Sequence, residues 1–101
     1  MQTIDIKNLK LRLGTQPKVF FLVDTREPEE YNDGHLPGAM LIPWHMIDEK
    51  IKGIKKETEI ILYCRTGARA SRAADILENI GYKNVLLFKE GWEGWEEIHG
   101  K

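Results

Sequence analysis

A single cysteine between two arginines is the most reactive combination of side chains in this sequence of 101 residues. Cys64 follows an apolar run at 60–63 and precedes the segment 65–69, Arg-Thr-Gly-Ala-Arg. After that segment, Ala70, Ala73, Ala74 and Leu77 recur at helical spacing. Cys64 is therefore predicted to lie in a loop that joins the end of a strand to the start of a helix. Such a loop directs backbone N–H groups and the positive end of the helix dipole toward its centre.

The side chains of this loop favour an ionised cysteine. Arg65 and Arg69 bring two permanent positive charges, and Gly67 permits backbone angles that a side chain would oppose. Helix N-termini and neighbouring cations favour the thiolate, which is the nucleophilic form of cysteine. The same cradle would bind a small oxyanion and stabilise a negative leaving group. The alternative is a core cysteine, the commoner role of a free thiol. Two flanking arginines serve no purpose in core packing, so the nucleophile is favoured.

The remainder of the chain supplies the elements that hold this loop. Short apolar runs predict buried strands over 19–23, 39–42, 59–63 and 85–88. Helical spacing and capping residues predict helices over 6–13 after Asp5, from Pro28, over 44–51, from the active loop to Gly81, and over 91–98. This alternation of strands and helices indicates an α/β fold with a mainly parallel sheet.

Composition and charge exclude several classes of function. The 15 basic and 16 acidic residues give a net charge of -1, so nothing favours general nucleic-acid binding. The longest apolar run, at 19–23, is far shorter than a membrane span, and the N-terminus has no signal-peptide core. We therefore expect a cytoplasmic protein with no membrane partner. One cysteine and three scattered histidines show no metal-ligand spacing and allow no internal disulfide.

Two motifs connect the chain to a known family. The first is DTREPEEY at 24–31, followed by GHLPGA at 34–39; the second is CRTGAR at 64–69, followed by ASRAA at 70–74. With the order of elements, the sequence resembles the single-domain rhodaneses, a family of sulfurtransferases, over essentially its whole length. The resemblance implies one rhodanese domain at 1–101, with a five-stranded, mainly parallel sheet and helices on both faces.

The resemblance also assigns roles to the loop. It implies that Cys64 is catalytic and carries a sulfane sulfur as a persulfide. The implied substrate-binding residues are Arg65, Thr66, Gly67, Ala68 and Arg69. The loop has six residues, as in rhodaneses that handle sulfur, whereas related phosphatases and arsenate reductases have seven. No metal or organic cofactor is implied.

The donor and the acceptor follow from the same comparison. Two arginines suggest a small anionic donor such as thiosulfate, a polysulfide or a low-molecular-weight persulfide. The acceptor would be a thiol, cyanide or a partner protein. A second hypothesis remains open, in which the chain carries a persulfide between partners without turnover of free thiosulfate.

Four further residues are expected to support the pocket or line its rim: Asp24, Arg26, His35 and Trp92. Asp24 and Arg26 are expected to act through hydrogen bonds and charge pairing, since buried charges need partners. His35 is expected to be a fixed, hydrogen-bonded residue of a turn rather than a general base. Trp92 is expected either to line the pocket mouth or to pack in the core. The acidic positions Glu93, Glu96 and Glu97 are expected to face solvent.

Overall fold

Five parallel strands form one sheet in the order β1-β5-β4-β2-β3. A computed structural model describes residues 2–15 and 19–100 of the chain. The strands are β1 (Gln2–Ile4), β2 (Phe20–Asp24), β3 (Met40–Leu41), β4 (Glu59–Tyr63) and β5 (Asn84–Phe88). The helices are α1 (Ile6–Leu13), α2 (Pro28–Asp33), α3 (Ile47–Lys50), α4 (Ala68–Asn79) and α5 (Gly91–His99), with a 3-10 turn at Trp44–Met46 before α3.

The central strand β4 is buried on both faces. Ile60 and Leu62 belong to one apolar cluster with residues of α3 and α4. Ile61 and Tyr63 belong to a second cluster with residues of α1 and α5. Successive side chains of a strand point to opposite faces, so the two clusters are the two layers of the core. The predicted parallel sheet with helices on both faces is thus confirmed, and the continuous apolar runs reflect burial on both sides.

The helices begin where their capping residues allow. The Asp5 carboxylate accepts a hydrogen bond from the Asn8 N–H at 2.8 Å, which caps α1 as predicted. Pro28 occupies the first turn of α2, where its missing N–H costs nothing.

In α4 the buried positions are Ala70, Ala73, Ala74 and Leu77, which are the positions that helical spacing predicted. Within the described ranges, no helix is long and apolar enough to cross a membrane.

Four details of the sheet and its connections differ from the sequence prediction. Strand β1 was not predicted, because three residues are too few to show alternation; its pairing with β5 defines it. Val19 is 74% exposed and lies outside β2, which extends instead to Asp24. The strand expected at 39–42 shortens to two residues at the sheet edge. The helix expected at 44–51 divides into the 3-10 turn and α3.

Candidate active site

The sulfur of Cys64 lies where a helix-capping oxygen usually lies. Cys64 directly follows β4 at the carboxyl edge of the sheet, and the residue is only 1% exposed. Its Sγ accepts hydrogen bonds from the N–H groups of Gly67 at 3.0 Å and of Ala70 at 3.4 Å. Ala70 lies in the first turn of α4, and no side-chain oxygen caps that helix. The sulfur therefore takes the acceptor position that serine or aspartate fills elsewhere, at the positive end of the dipole.

Helix α5 fixes the backbone of the loop from the other side. The carbonyls of Cys64 and Arg65 accept hydrogen bonds from the N–H groups of Trp92 at 2.8 Å and of Glu93 at 3.2 Å. The first N–H groups of a helix need such acceptors, and α5 has no side-chain cap. Gly91 permits this approach with a φ of 63°, since an added Cβ would lie 2.5 Å from the Cys64 carbonyl oxygen.

Each arginine of the loop is paired with a carboxylate from another helix. Arg65 donates from Nε to Glu93 of α5 at 2.6 Å. Arg69 donates from both terminal nitrogens to Glu30 of α2, at 2.6 and 3.0 Å. Glu93 is exposed, as expected, and its carboxylate also pairs with Arg65, because α5 packs its first turn against the loop. The two positive charges predicted near Cys64 are therefore both compensated.

The pair between α2 and α4 has marked electrostatic consequences. The hydrogen bond from Arg69 is the main cause that lowers the pKa of Glu30 to about 2. The Glu27 N–H donates to the same carboxylate at 3.0 Å and adds to this effect. The hydrogen bond between Arg69 and Glu30 is also the main cause that raises the pKa of Arg69. The charge of Cys64 contributes a smaller effect in the same direction. Arg69 is thus electrostatically coupled to the sulfur while it remains bound to Glu30.

A buried network joins the ends of β2 and β4. Asp24, Arg26 and Tyr63 are at most 2% exposed. Arg26 donates to the Asp24 carboxylate at 2.7 Å and to the Gly34 carbonyl at 2.6 Å. The Tyr63 hydroxyl donates to Asp24 at 2.7 Å. The described residues contain no buried side-chain N or O atom without a hydrogen-bond partner, so the cost of burying these charges is met by pairing.

The pKa values of this network follow from burial and pairing. Burial acts to lower the pKa of Arg26, but the hydrogen bond and charge of Asp24 outweigh it and raise the pKa above its ordinary value. Burial, followed by the negative charge of Asp24, raises the pKa of Tyr63. Tyr63 therefore remains a neutral hydroxyl donor, and Arg26 remains charged.

The network lies on the opposite face of the sheet from Cys64. Tyr63 belongs to the core layer with α1 and α5, whereas Cys64 belongs to the layer with α3 and α4. Asp24 and Arg26 form hydrogen bonds with each other, with Tyr63 and with Gly34, whereas the Cys64 sulfur accepts from Gly67 and Ala70. Trp92 is buried in the same layer as Tyr63, with the Arg26 guanidinium 5.2 Å from the centre of its ring.

His35 lies at the surface, stacked on a neighbouring ring. Its imidazole lies 3.8 Å from the ring of Tyr31, and its Nδ1 is 3.0 Å from the Tyr31 carbonyl oxygen. Both contacts are with α2, so the side chain is held within its own turn. Thr66 and Ala68 are exposed at the loop surface.

Four residues of the site were not identified from the sequence: Glu30, Tyr63, Gly91 and Glu93. Glu30 had a local signal, since Glu27 and Glu30 form a capping box at the start of α2. The others act through contacts between segments that are far apart in the chain, and no local pattern reveals such contacts.

Comparison with known proteins agrees with this geometry. The rhodanese-like domain family matches residues 5–98. A sulfurtransferase of Allochromatium vinosum is 37% identical over 97 residues, which cover 96% of this chain and 89% of the relative. The thiosulfate:glutathione sulfurtransferase of Saccharomyces cerevisiae is 30% identical, over 94% of this chain and 78% of the relative. The solved structure of the human single-domain sulfurtransferase TSTD1 covers 97% of both chains with a TM-score of 0.88, at 22% identity.

The chain belongs to the rhodanese-like domain family. Its similarity to the Allochromatium and yeast proteins supports sulfurtransferase activity in general terms. The resemblance to TSTD1 extends the agreement to the fold, since the two structures superimpose over nearly their whole lengths.

Proposed function

We propose that the chain is a thiosulfate-type sulfurtransferase, in which residues 1–101 act as one rhodanese domain and Cys64 carries the sulfur. The observation that carries the proposal is the position of the Cys64 Sγ, which accepts the Gly67 and Ala70 N–H groups at the start of α4. These donors stabilise a thiolate and, after transfer, a negative terminal sulfur. The cytoplasm is the proposed compartment, since a lone cysteine without a disulfide partner is typical of it.

In the first step the Cys64 thiolate attacks the outer sulfur of thiosulfate. A sulfur–sulfur bond forms to Cys64 as the bond to the sulfonate sulfur breaks, and sulfite leaves with the electron pair. The total charge is unchanged, because the enzyme persulfide keeps the negative charge of the thiolate. Backbone N–H groups of the loop stabilise this anion. The step requires no general base, because the attacking sulfur is already a thiolate.

In the second step a thiophile removes the terminal sulfur and regenerates the Cys64 thiolate. The proposed acceptors are a small thiol or a partner protein in the cell and cyanide in an assay. The yeast relative is named for thiosulfate and glutathione, which supports a thiol as acceptor. Because donor and acceptor react in separate steps, the kinetics should be ping-pong.

One observation favours a second function, that of a persulfide carrier. Both arginines of the loop are paired with carboxylates, which reduces the attraction of the site for a free dianion. A partner protein that delivers its persulfide directly would not depend on that attraction. Carrier and catalyst need the same nucleophile, so only turnover separates them.

The test measures thiocyanate formation from thiosulfate and cyanide, with the intact mass of the donor-treated protein recorded in parallel. Cys64→Ser is the matched control, and circular dichroism establishes that it is folded. We expect turnover and a gain of one sulfur atom in the wild type, with both absent in Cys64→Ser. A sulfur gain without turnover would favour the carrier. A folded wild type that shows neither signal would overturn both functions.

A further inference from the structure

The two ion pairs of the active loop differ in how firmly they hold the arginine. Arg69 forms two hydrogen bonds to Glu30, and both side chains are mostly buried, at 28% and 31% exposed. Arg65 forms one hydrogen bond to Glu93, through Nε, and these side chains are 61% and 47% exposed. Paired, partly buried geometry holds an arginine far more firmly than a single exposed contact. Arg65 is therefore the cation of the loop that an incoming anion can recruit.

Glu93 is held close to the loop by the backbone as well as by its side chain. Its N–H donates to the Arg65 carbonyl at 3.2 Å, in the same turn that brings Trp92 N–H to the Cys64 carbonyl. The carboxylate is thus presented to the guanidinium by the packing of α5 on the loop. Any dianion that binds Arg65 must compete with a negative charge that the fold keeps in place.

We propose that Arg65 recognises the anionic donor and that Glu93 is a positioning residue that sets how strongly the site selects donors by charge. This inference rests on the proposed function, since it concerns the donor of the Cys64 sulfur. Thiosulfate carries two negative charges and would gain from release of Arg65. A persulfide or thiosulfonate with one charge would gain less. Glu93 therefore shifts the preference of the site from dianionic toward monoanionic sulfur donors.

The experiment compares Glu93→Gln with Glu97→Gln. Both substitutions change the net charge by the same amount on the same helix, and Glu97 is an exposed residue. Steady-state kinetics use thiosulfate and, as the monoanion, methanethiosulfonate, at constant ionic strength. Glu93→Gln is expected to lower the KM for thiosulfate about two- to fivefold, the range set by an exposed ion pair. Its kcat and its KM for the monoanion should change little, and Glu97→Gln should match the wild type.

A double-mutant cycle tests whether Glu93 acts through Arg65. Arg65→Gln should raise the KM for thiosulfate, and adding Glu93→Gln to it should have no further effect. An equal gain with Glu97→Gln, or a Glu93→Gln gain that persists in Arg65→Gln, would overturn the proposal.

A binding measurement separates this inference from the proposed function. In the unreactive Cys64→Ser background, the Kd for thiosulfate is obtained by NMR titration of the Gly67 and Ala70 amides. The same fall in Kd with Glu93→Gln supports the inference even where the wild type shows no turnover. An unchanged Kd, or no binding of thiosulfate in either protein, would overturn it.

Discussion

At the scale of single residues, the buried pair of Asp24 and Arg26 determines how the end of β2 is held. Arg26 donates from Nε and from one terminal nitrogen to Asp24, and from that terminal nitrogen also to the Gly34 carbonyl. Tyr63 supplies a further donor to Asp24 and accepts the Leu36 N–H at 3.0 Å. Because Tyr63 directly precedes Cys64, this network anchors the strand from which the active loop departs.

Removing the cation of this pair should destabilise the protein strongly. Arg26→Met leaves the Asp24 carboxylate buried without its countercharge, and we expect the free energy of unfolding to fall by about 3–5 kcal/mol. Arg12→Met is the matched control, since Arg12 pairs with Glu59 at a partly exposed site. That change should cost less than about 1 kcal/mol. Urea unfolding at neutral pH measures both, and equal losses would contradict the account of the buried network.

The sequence was sufficient to predict the position of Cys64. It was not sufficient to predict that the neighbouring arginines are paired with carboxylates. The place of Cys64 between β4 and α4 follows from residue types and local spacing, which persist into the fold. The pairing of Arg65 with Glu93 joins positions 28 residues apart. This pairing depends on how α5 packs against the loop. The sequence therefore indicated two positive charges but not the carboxylates that pair with them.

At the scale of elements, the turn before α5 and the active loop form one backbone unit. The first N–H groups of α5 are bonded to loop carbonyls, and Gly91 allows the two segments to touch. The sequence predicted both segments but not their contact. The edge strand β1 was missed for a related reason, since its three residues are defined by pairing with β5 rather than by their own pattern.

A side chain at position 91 should displace the active loop. Gly91→Ala would place a Cβ 2.5 Å from the Cys64 carbonyl oxygen, which is backbone and cannot rotate away. Gly53→Ala is the control, since Gly53 has a φ of 93° and open space around an added Cβ. We expect Gly53→Ala to cost about 1–2 kcal/mol for its backbone angle alone. Gly91→Ala should cost more, and it should lower sulfur transfer at least about tenfold through misplacement of the nucleophile.

Thermal unfolding and thiocyanate formation together measure these effects. A Gly91→Ala variant with the stability and the activity of Gly53→Ala would show that the loop does not depend on the close approach of α5.

At the scale of the whole molecule, the Glu30–Arg69 pair joins α2 to α4 across 39 positions of the chain and links acid stability to the fold. The pKa of Glu30 is lowered from 4.5 to about 2 on folding. The unfolded chain therefore takes up this proton first as the pH falls. The stabilisation is complete above about pH 4.5 and is lost as the pH falls toward about 2.

Glu30→Gln should remove this contribution. At neutral pH we expect the variant to be less stable by on the order of 1–2 kcal/mol, a figure reduced for the partial exposure of the pair. The difference from wild type should shrink between about pH 4.5 and pH 2. Glu29→Gln, an exposed neighbour in α2, is the control and should show no such trend. Unfolding free energies measured across this pH range give the result; a constant difference would contradict the linkage.

The arrangement of a parallel sheet between two layers of helices was largely predictable from the sequence. Continuous apolar runs identify strands that are buried on both faces, and this holds without knowing which strands pair with each other. The order of the strands does not follow from the pattern, since β4 pairs with β2 and β5 through contacts between distant segments. The family resemblance supplied the count of five strands, which local periodicity alone did not.

The backbone shape of the active loop and the side chains that the loop presents to solvent depend on different groups. The loop is held by main-chain groups and by glycines, whereas Arg65, Thr66 and Ala68 are all exposed. Exchanging those three side chains removes the Arg65–Glu93 pair but leaves the main-chain hydrogen bonds between the loop and α5 in place. The scaffold is therefore suited to evolutionary diversification and to library design, in which new sulfur donors are sought at three positions without rebuilding the protein around them.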